Sequence, residues 1–303
     1  MAELSGDIAV SGDERRWNDL GAAALLRGDF PAALAAYAQA RAAAVDRPAA
    51  DRADINLATV RLQMGDVKGG EEGLREILLR AGDARIAFHA AYNLASSLRK
   101  QGRYERALTY ARRAMERARA VGSTDLVAPV HNLLGNVLLN QNYLDEALAE
   151  YETALSLRER QPGDTRFSRA ILEENIGYCL ILKKQCAAGI ERLRTALRLA
   201  EEIGDRRCRA ECLQDLCYAD LLGGRYDDAI AAGEHALEEA VSAPFTDIEE
   251  NCHYLLGELG TRTGRATLRD RHFEALQKLH PEVPFLREFL CTVDVTDFIT
   301  LTR

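Results

Sequence analysis

A bulky apolar residue followed by a small one returns seven times along this 303-residue chain, as Leu20-Gly21, Leu57-Ala58, Leu94-Ala95, Leu134-Gly135, Ile176-Gly177, Leu216-Cys217 and Leu256-Gly257. Seven residues after each small residue stands a turn former or polar residue: Gly28, Gly65, Gly102, Asn142, Lys184, Gly224 and Gly264. Twelve residues after it comes another small one, Ala33, Gly70, Ala107, Ala147, Gly189 and Ala229, until Arg269 interrupts the series. An internal repeat at this period constrains the fold more than any local propensity. Each unit reads as a helix, a tight turn and a second helix. The small residues let two helices approach closely, and glycine in the turn supplies the positive φ that ends the first. One such pair cannot cover its own apolar face, so neighbouring pairs must stack. The expected fold is all-α, an α-solenoid of seven helix-turn-helix repeats.

The pattern resembles the tetratricopeptide repeat (TPR) family across residues 14–281. Trp17, Leu20, Gly21, Gly28, Ala33, Tyr37 and Ala40 of the first unit fall where that family expects them, and His280-Pro281 stands at its closing proline. The departure is length: successive units start 37, 37, 40, 42, 40 and 40 residues apart, against about 34 for the standard repeat. Long units of this kind resemble the branch that includes kinesin light chains and bacterial peptide-sensing regulators. The resemblance implies a right-handed superhelix whose first helices line the concave side.

Three segments are therefore expected. Residues 1–13 form a disordered lead-in without the basic flank or apolar core of a signal peptide. Residues 14–281 form the array, with no linker long enough to divide it. In 282–303, the stretch PFLREFL (284–290) forms a capping helix. The β-branched tail that follows, CTVDVTDFITLTR (291–303), is extended. That tail either lies across the last helices or pairs with a partner's edge or a second copy of itself.

On the face that the resemblance makes concave, the stretch HNLLGNVLLN (131–140) sets Asn132, Asn136 and Asn140 four residues apart, on one side of a helix. An amide offers both a donor and an acceptor, so a row of them matches the peptide units of an extended guest chain. Tyr92, Ser96, Arg99 and Lys100 precede them by one repeat, and Tyr178 and Tyr218 follow. Tyrosine adds apolar contact with a polar tip, and the two cations suit a carboxylate or a C-terminus. Arg15 and Arg52 on one side, with Glu174, Glu211 and Glu258 on the other, suggest a groove graded from basic to acidic. The opposing reading is structural. Asn56, Asn93 and Asn175, two before the small residue, and Asn136, just after it, then only tie neighbouring helices together.

The net charge of −8 argues against nucleic acid or an anionic membrane as a bulk partner. No apolar run approaches the ~20 residues that span a bilayer. Seven irregularly spaced cysteines fit a reducing cytoplasm. Cys208, Cys212, Cys217 and Cys252 lack paired CxxC spacing and read as small buried thiols rather than a zinc or redox site. The locally basic run RTGRATLRDRHF (262–273) reads either as a solvated helix face or as a docking patch for an acidic partner. No phosphate loop, nucleophile elbow or His-Glu metal motif occurs, and the six histidines are scattered among the units. The expected function is non-catalytic and needs no cofactor: a cytoplasmic scaffold or adaptor holding a peptide or protein segment in the groove. The alternatives are a peptide-sensing regulator that changes shape on binding, and a structural protein that self-associates through 291–303.

Overall fold

The computed structural model describes residues 12–243 and 245–292. Fifteen helices and no strand occur among them, and no helix among them is long and apolar enough to cross a membrane. In chain order the pairs are α1 (Gly12–Leu26) with α2 (Phe30–Ala42), α3 (Arg47–Gln63) with α4 (Val67–Arg80), and α5 (Ala84–Lys100) with α6 (Tyr104–Val121). Next come α7 (Thr124–Asn140) and α8 (Leu144–Glu159), α9 (Arg166–Leu182) with α10 (Cys186–Ile203), and α11 (Arg206–Leu222) with α12 (Tyr226–Ser242). Last are α13 (Thr246–Arg262) with α14 (Ala266–Leu279), and a short α15 (Leu286–Thr292). The first helix starts at Gly12, two residues before the expected array. The last runs through Cys291 and Thr292, which the sequence suggested were extended. The expected strand of the tail otherwise lies outside the described residues.

The helices fall into two compact units, one ending at Tyr143 and the other beginning at Leu144. In the first, each helix packs on the next from α1 to α7, and α3, α5 and α7 also touch one another in a row. The second repeats the arrangement from α8 to α15, with α9, α11 and α13 in the row. Each core cluster draws on both helices of one pair and the first helix of the next. Ile55, Leu74, Ile77, Ile86 and Leu94 join α3, α4 and α5, while Phe88, Met115, Leu126 and Val130 join α5, α6 and α7. No pair holds a complete core by itself, which is why stacking is obligatory.

The turn position behaves as the repeat predicts. All seven residues there have positive φ, 71° at Gly28 and 63° at both Asn142 and Lys184. The left-handed region disfavours a Cβ, and asparagine tolerates it better than lysine does. Lys184→Gly is therefore expected to stabilise the second unit by about 0.5–1 kcal/mol, read as a higher urea midpoint. No gain would mean that lysine is unstrained there. Aspartates cap many of the helices that follow: Asp29, Asp46, Asp66, Asp83 and Asp205 each accept a hydrogen bond from a first-turn N–H.

Candidate functional site

In the first unit α5 and α7 lie side by side, and the four-residue spacing places their polar side chains on one surface. Leu133 and Val137 of α7 are buried, whereas Asn132, Asn136 and Asn140 are half-exposed. On α5, Tyr92, Ser96 and Arg99 are half-exposed and Lys100 is exposed. Tyr92 stacks on the buried Phe88 ring at 5.8 Å between centroids, which fixes where its hydroxyl points. The Arg99 guanidinium Nη1 donates to Asn140 Oδ1 at 2.9 Å, joining the end of α5 to the end of α7. Two residues predicted from different repeats are thus brought into contact.

Other amides tie neighbouring first helices together. Asn56 Nδ2 donates to Asn18 Oδ1 at 3.1 Å, and Asn93 Nδ2 donates to Thr59 Oγ1 at 3.1 Å. In both, the residue two before the small one reaches back to the preceding first helix, the structural role suggested for that position. Asn251 Nδ2 donates in the same way to Gln214 Oε1 at 2.9 Å in the second unit.

The second unit presents a different surface. Tyr178 and Tyr218 are buried, at 0% and 5% exposure, with ring centroids 6.4 Å apart. Glu174, Gln214, Tyr254 and Glu258 of the same helices are buried too. Three of the five charges expected to grade the groove are paired locally. Arg52 binds the fully buried Glu14 at 2.9 Å, Arg207 holds Glu211 at 2.9 Å, and Arg262 holds Glu258 at 2.7 Å. The basic run at 262–273 is likewise largely consumed: Arg265 pairs with Asp227 at 2.6 Å, and Arg269 pairs with Asp270 at 2.9 Å.

Cys208, Cys212, Cys217 and Cys252 are free and buried. Cys208 and Cys212 pack with Ala170, Ala196 and Leu199 between α9, α10 and α11. A hydrogen bond with Cys208 and then burial push the Cys212 thiol up, and burial raises Cys252 to about 12. Thiols held protonated in this way behave as packing groups. Among the described residues no cluster of three or more potential ligands forms a metal site.

One contact has no counterpart in the repeat pattern. His253 of α13 and His272 of α14 face each other with their Nδ1 atoms 2.9 Å apart. Burial, then His253 and Arg271, lowers His272 to about 4. Burial and then Arg271 also lower His253. One ring must donate and the other accept, so at least one is neutral.

The tetratricopeptide repeat family model matches residues 87–160, which contain most of α5, all of α6 and α7, and α8. No curated protein matches the sequence. Among solved structures, the apo form of RapI is 15% identical, with 89% of this chain and 98% of that one covered at a TM-score of 0.67. A Rap protein complexed with competence and sporulation factor is 14% identical, with coverage of 93% and 78% and a TM-score of 0.68. A signal transduction ATPase with numerous domains and a tetratricopeptide repeat sensor, from Pyrococcus horikoshii, is 15% identical at a TM-score of 0.69. This chain spans 45% of that protein's length, while 95% of this chain is covered. At such identities the likeness concerns the fold.

Proposed function

We propose that this chain, whose residues 87–160 match the tetratricopeptide repeat family model, works without catalysis, as an interaction scaffold that holds a peptide or protein segment on its first-helix face. The carrying observation is the solvent-facing surface of α5 and α7, where Tyr92, Ser96, Lys100, Asn132 and Asn136 flank the Arg99–Asn140 bond. Amides in register with an extended chain read its backbone, and Lys100 with Arg99 offers charge to a carboxylate. A surface already ordered by cross-helix bonds limits the entropy cost of binding. The similar Rap protein complexed with competence and sporulation factor supports this reading. A cytoplasmic setting, expected from seven irregularly spaced cysteines, belongs to the same proposal.

A second reading, a regulator that changes shape on peptide binding, is favoured by the enclosed Tyr178–Tyr218 pair. A ligand touching those rings requires that wall to open, so small-angle scattering would change on binding. An unchanged profile favours the scaffold.

The test is selection of binders from a library of octapeptides with free C-termini, against the full chain. Asn132→Ala with Asn136→Ala is expected to weaken selected peptides about tenfold, two neutral hydrogen bonds at about 0.7 kcal/mol each, with little change in the melting temperature. Arg99→Ala with Lys100→Ala should weaken free-carboxylate peptides more than their amidated forms. Unchanged affinity in both variants, or no selectable binder, overturns the proposal.

A further inference from the structure

The outer helix α6 carries Arg106, Arg112, Arg113, Arg117 and Arg119, all exposed, against Glu105 and Glu116. Among the described residues none of these five arginines enters an ion pair. Elsewhere several arginines of second helices are engaged: Arg80 with Asp51 and Asp54, Arg192 with Glu173, and Arg198 with Glu202, although Arg271 of α14 enters no ion pair among the described residues. Even the basic run at 262–273 is largely neutralised within its own unit. Helix stability accounts only for Arg119, which suits the dipole in the last turn of α6. Arg113 and Arg117 lie four apart, where like charges repel, and Arg106 sits near the N-terminus, the end that favours acids. Arg106, Tyr110, Arg113 and Arg117 follow one another at offsets of four, three and four, so they form one stripe about 16 Å long. The Arg113 guanidinium lies 5.4 Å from the Tyr110 ring centroid, which holds it in place. Arg112 and Arg119 lie more than about 100° round the helix from the stripe and do not belong to it.

We infer that this face of α6 docks an acidic segment of a partner protein, rich in aspartate or glutamate and about as long as the stripe. It is a second surface, independent of the first-helix face. Two features of the helix argue for this occupant. All of its basic residues are arginines, whose planar fork binds carboxylates in bidentate fashion. The stripe is also a local concentration of unpaired positive charge in a chain whose net charge is −8. A short acidic peptide meets only the stripe, whereas duplex nucleic acid or an anionic bilayer extends past it and meets the repulsion of the remainder.

The probe is a fluorescein-labelled helical peptide of about 16 residues with glutamate at every third or fourth position, titrated with the full chain and followed by anisotropy. Arg106→Glu, Arg113→Glu and Arg117→Glu together are expected to weaken binding at least about tenfold, and raising the salt should weaken the wild type. The same reversal at Arg27, Arg61 and Arg160, exposed arginines elsewhere, should change affinity less than about twofold. If the α6 reversal impairs folding by circular dichroism, the triple Arg→Gln variant replaces it with the same expectation. Equal losses in the α6 and control variants, or no loss in α6, overturn the inference. So does tighter α6-dependent binding to duplex DNA or phosphatidylserine vesicles than to the peptide.

Discussion

Replacing Gly260 with leucine will destabilise the second unit by about 3 kcal/mol or more, at the upper end of what overpacking costs. A Cβ built on Gly260 stands 2.7 Å from the Arg269 Cα and closer still to its backbone nitrogen. Arg269 occupies the position where the earlier units carry alanine or glycine, and it is where the small-residue series breaks. The close approach survives in the last unit because the partner helix gives up its side chain instead. Because the obstruction is backbone, trimming Arg269 cannot relieve it, so Gly260→Ala with Arg269→Ala should remain destabilised. Urea unfolding followed by circular dichroism measures both. A loss below about 1 kcal/mol for leucine would mean that α13 and α14 separate at little cost.

Acidification from pH 7 to 4 will remove on the order of 3 kcal/mol of stability through His272, with a smaller share from His89. His272 titrates at about 4 in the folded chain, and His89 is lowered to about 4 by burial and then Arg85, opposed by Asp83. An unfolded histidine titrates near 6.5. Between those values the unfolded chain binds protons that the folded chain refuses, so stability rises with pH across the window and is level above it. Below about 4 both states are protonated and the contribution is gone. His89 is partly accessible to solvent, so its share is roughly halved. Protonating both His253 and His272 would set two N–H donors against each other across 2.9 Å. His272→Phe removes this dependence, and the carboxylate titrations common to both proteins cancel in the difference. Parallel wild-type and variant stability profiles from pH 7 to 4.5 would show that the pair does not carry the effect.

Much of the architecture was legible because the repeat reports local geometry. The residue seven after each small one has to turn the chain, and all seven such residues have positive φ, including the non-glycines Asn142 and Lys184. The role of Asn56 and Asn93 was legible for the same reason, since a fixed place in a stacked repeat faces the same neighbour each time. The surface was less so. Tyr178 and Tyr218 share the helical position that leaves Thr59, Ser96 and Asn136 half-exposed in the first unit, yet they are enclosed, and burial depends on everything around a side chain.

The spacing of small and bulky residues determined by itself that the chain is all-α, where each turn falls, and that helix pairs must stack, because helical geometry repeats with sequence distance. Only the tertiary structure decided which charges are neutralised, how Gly260 answers Arg269, that His253 meets His272, and that Arg99 reaches Asn140. Those outcomes depend on which side chain of another helix lies within a few ångströms, and helical periodicity carries no such information.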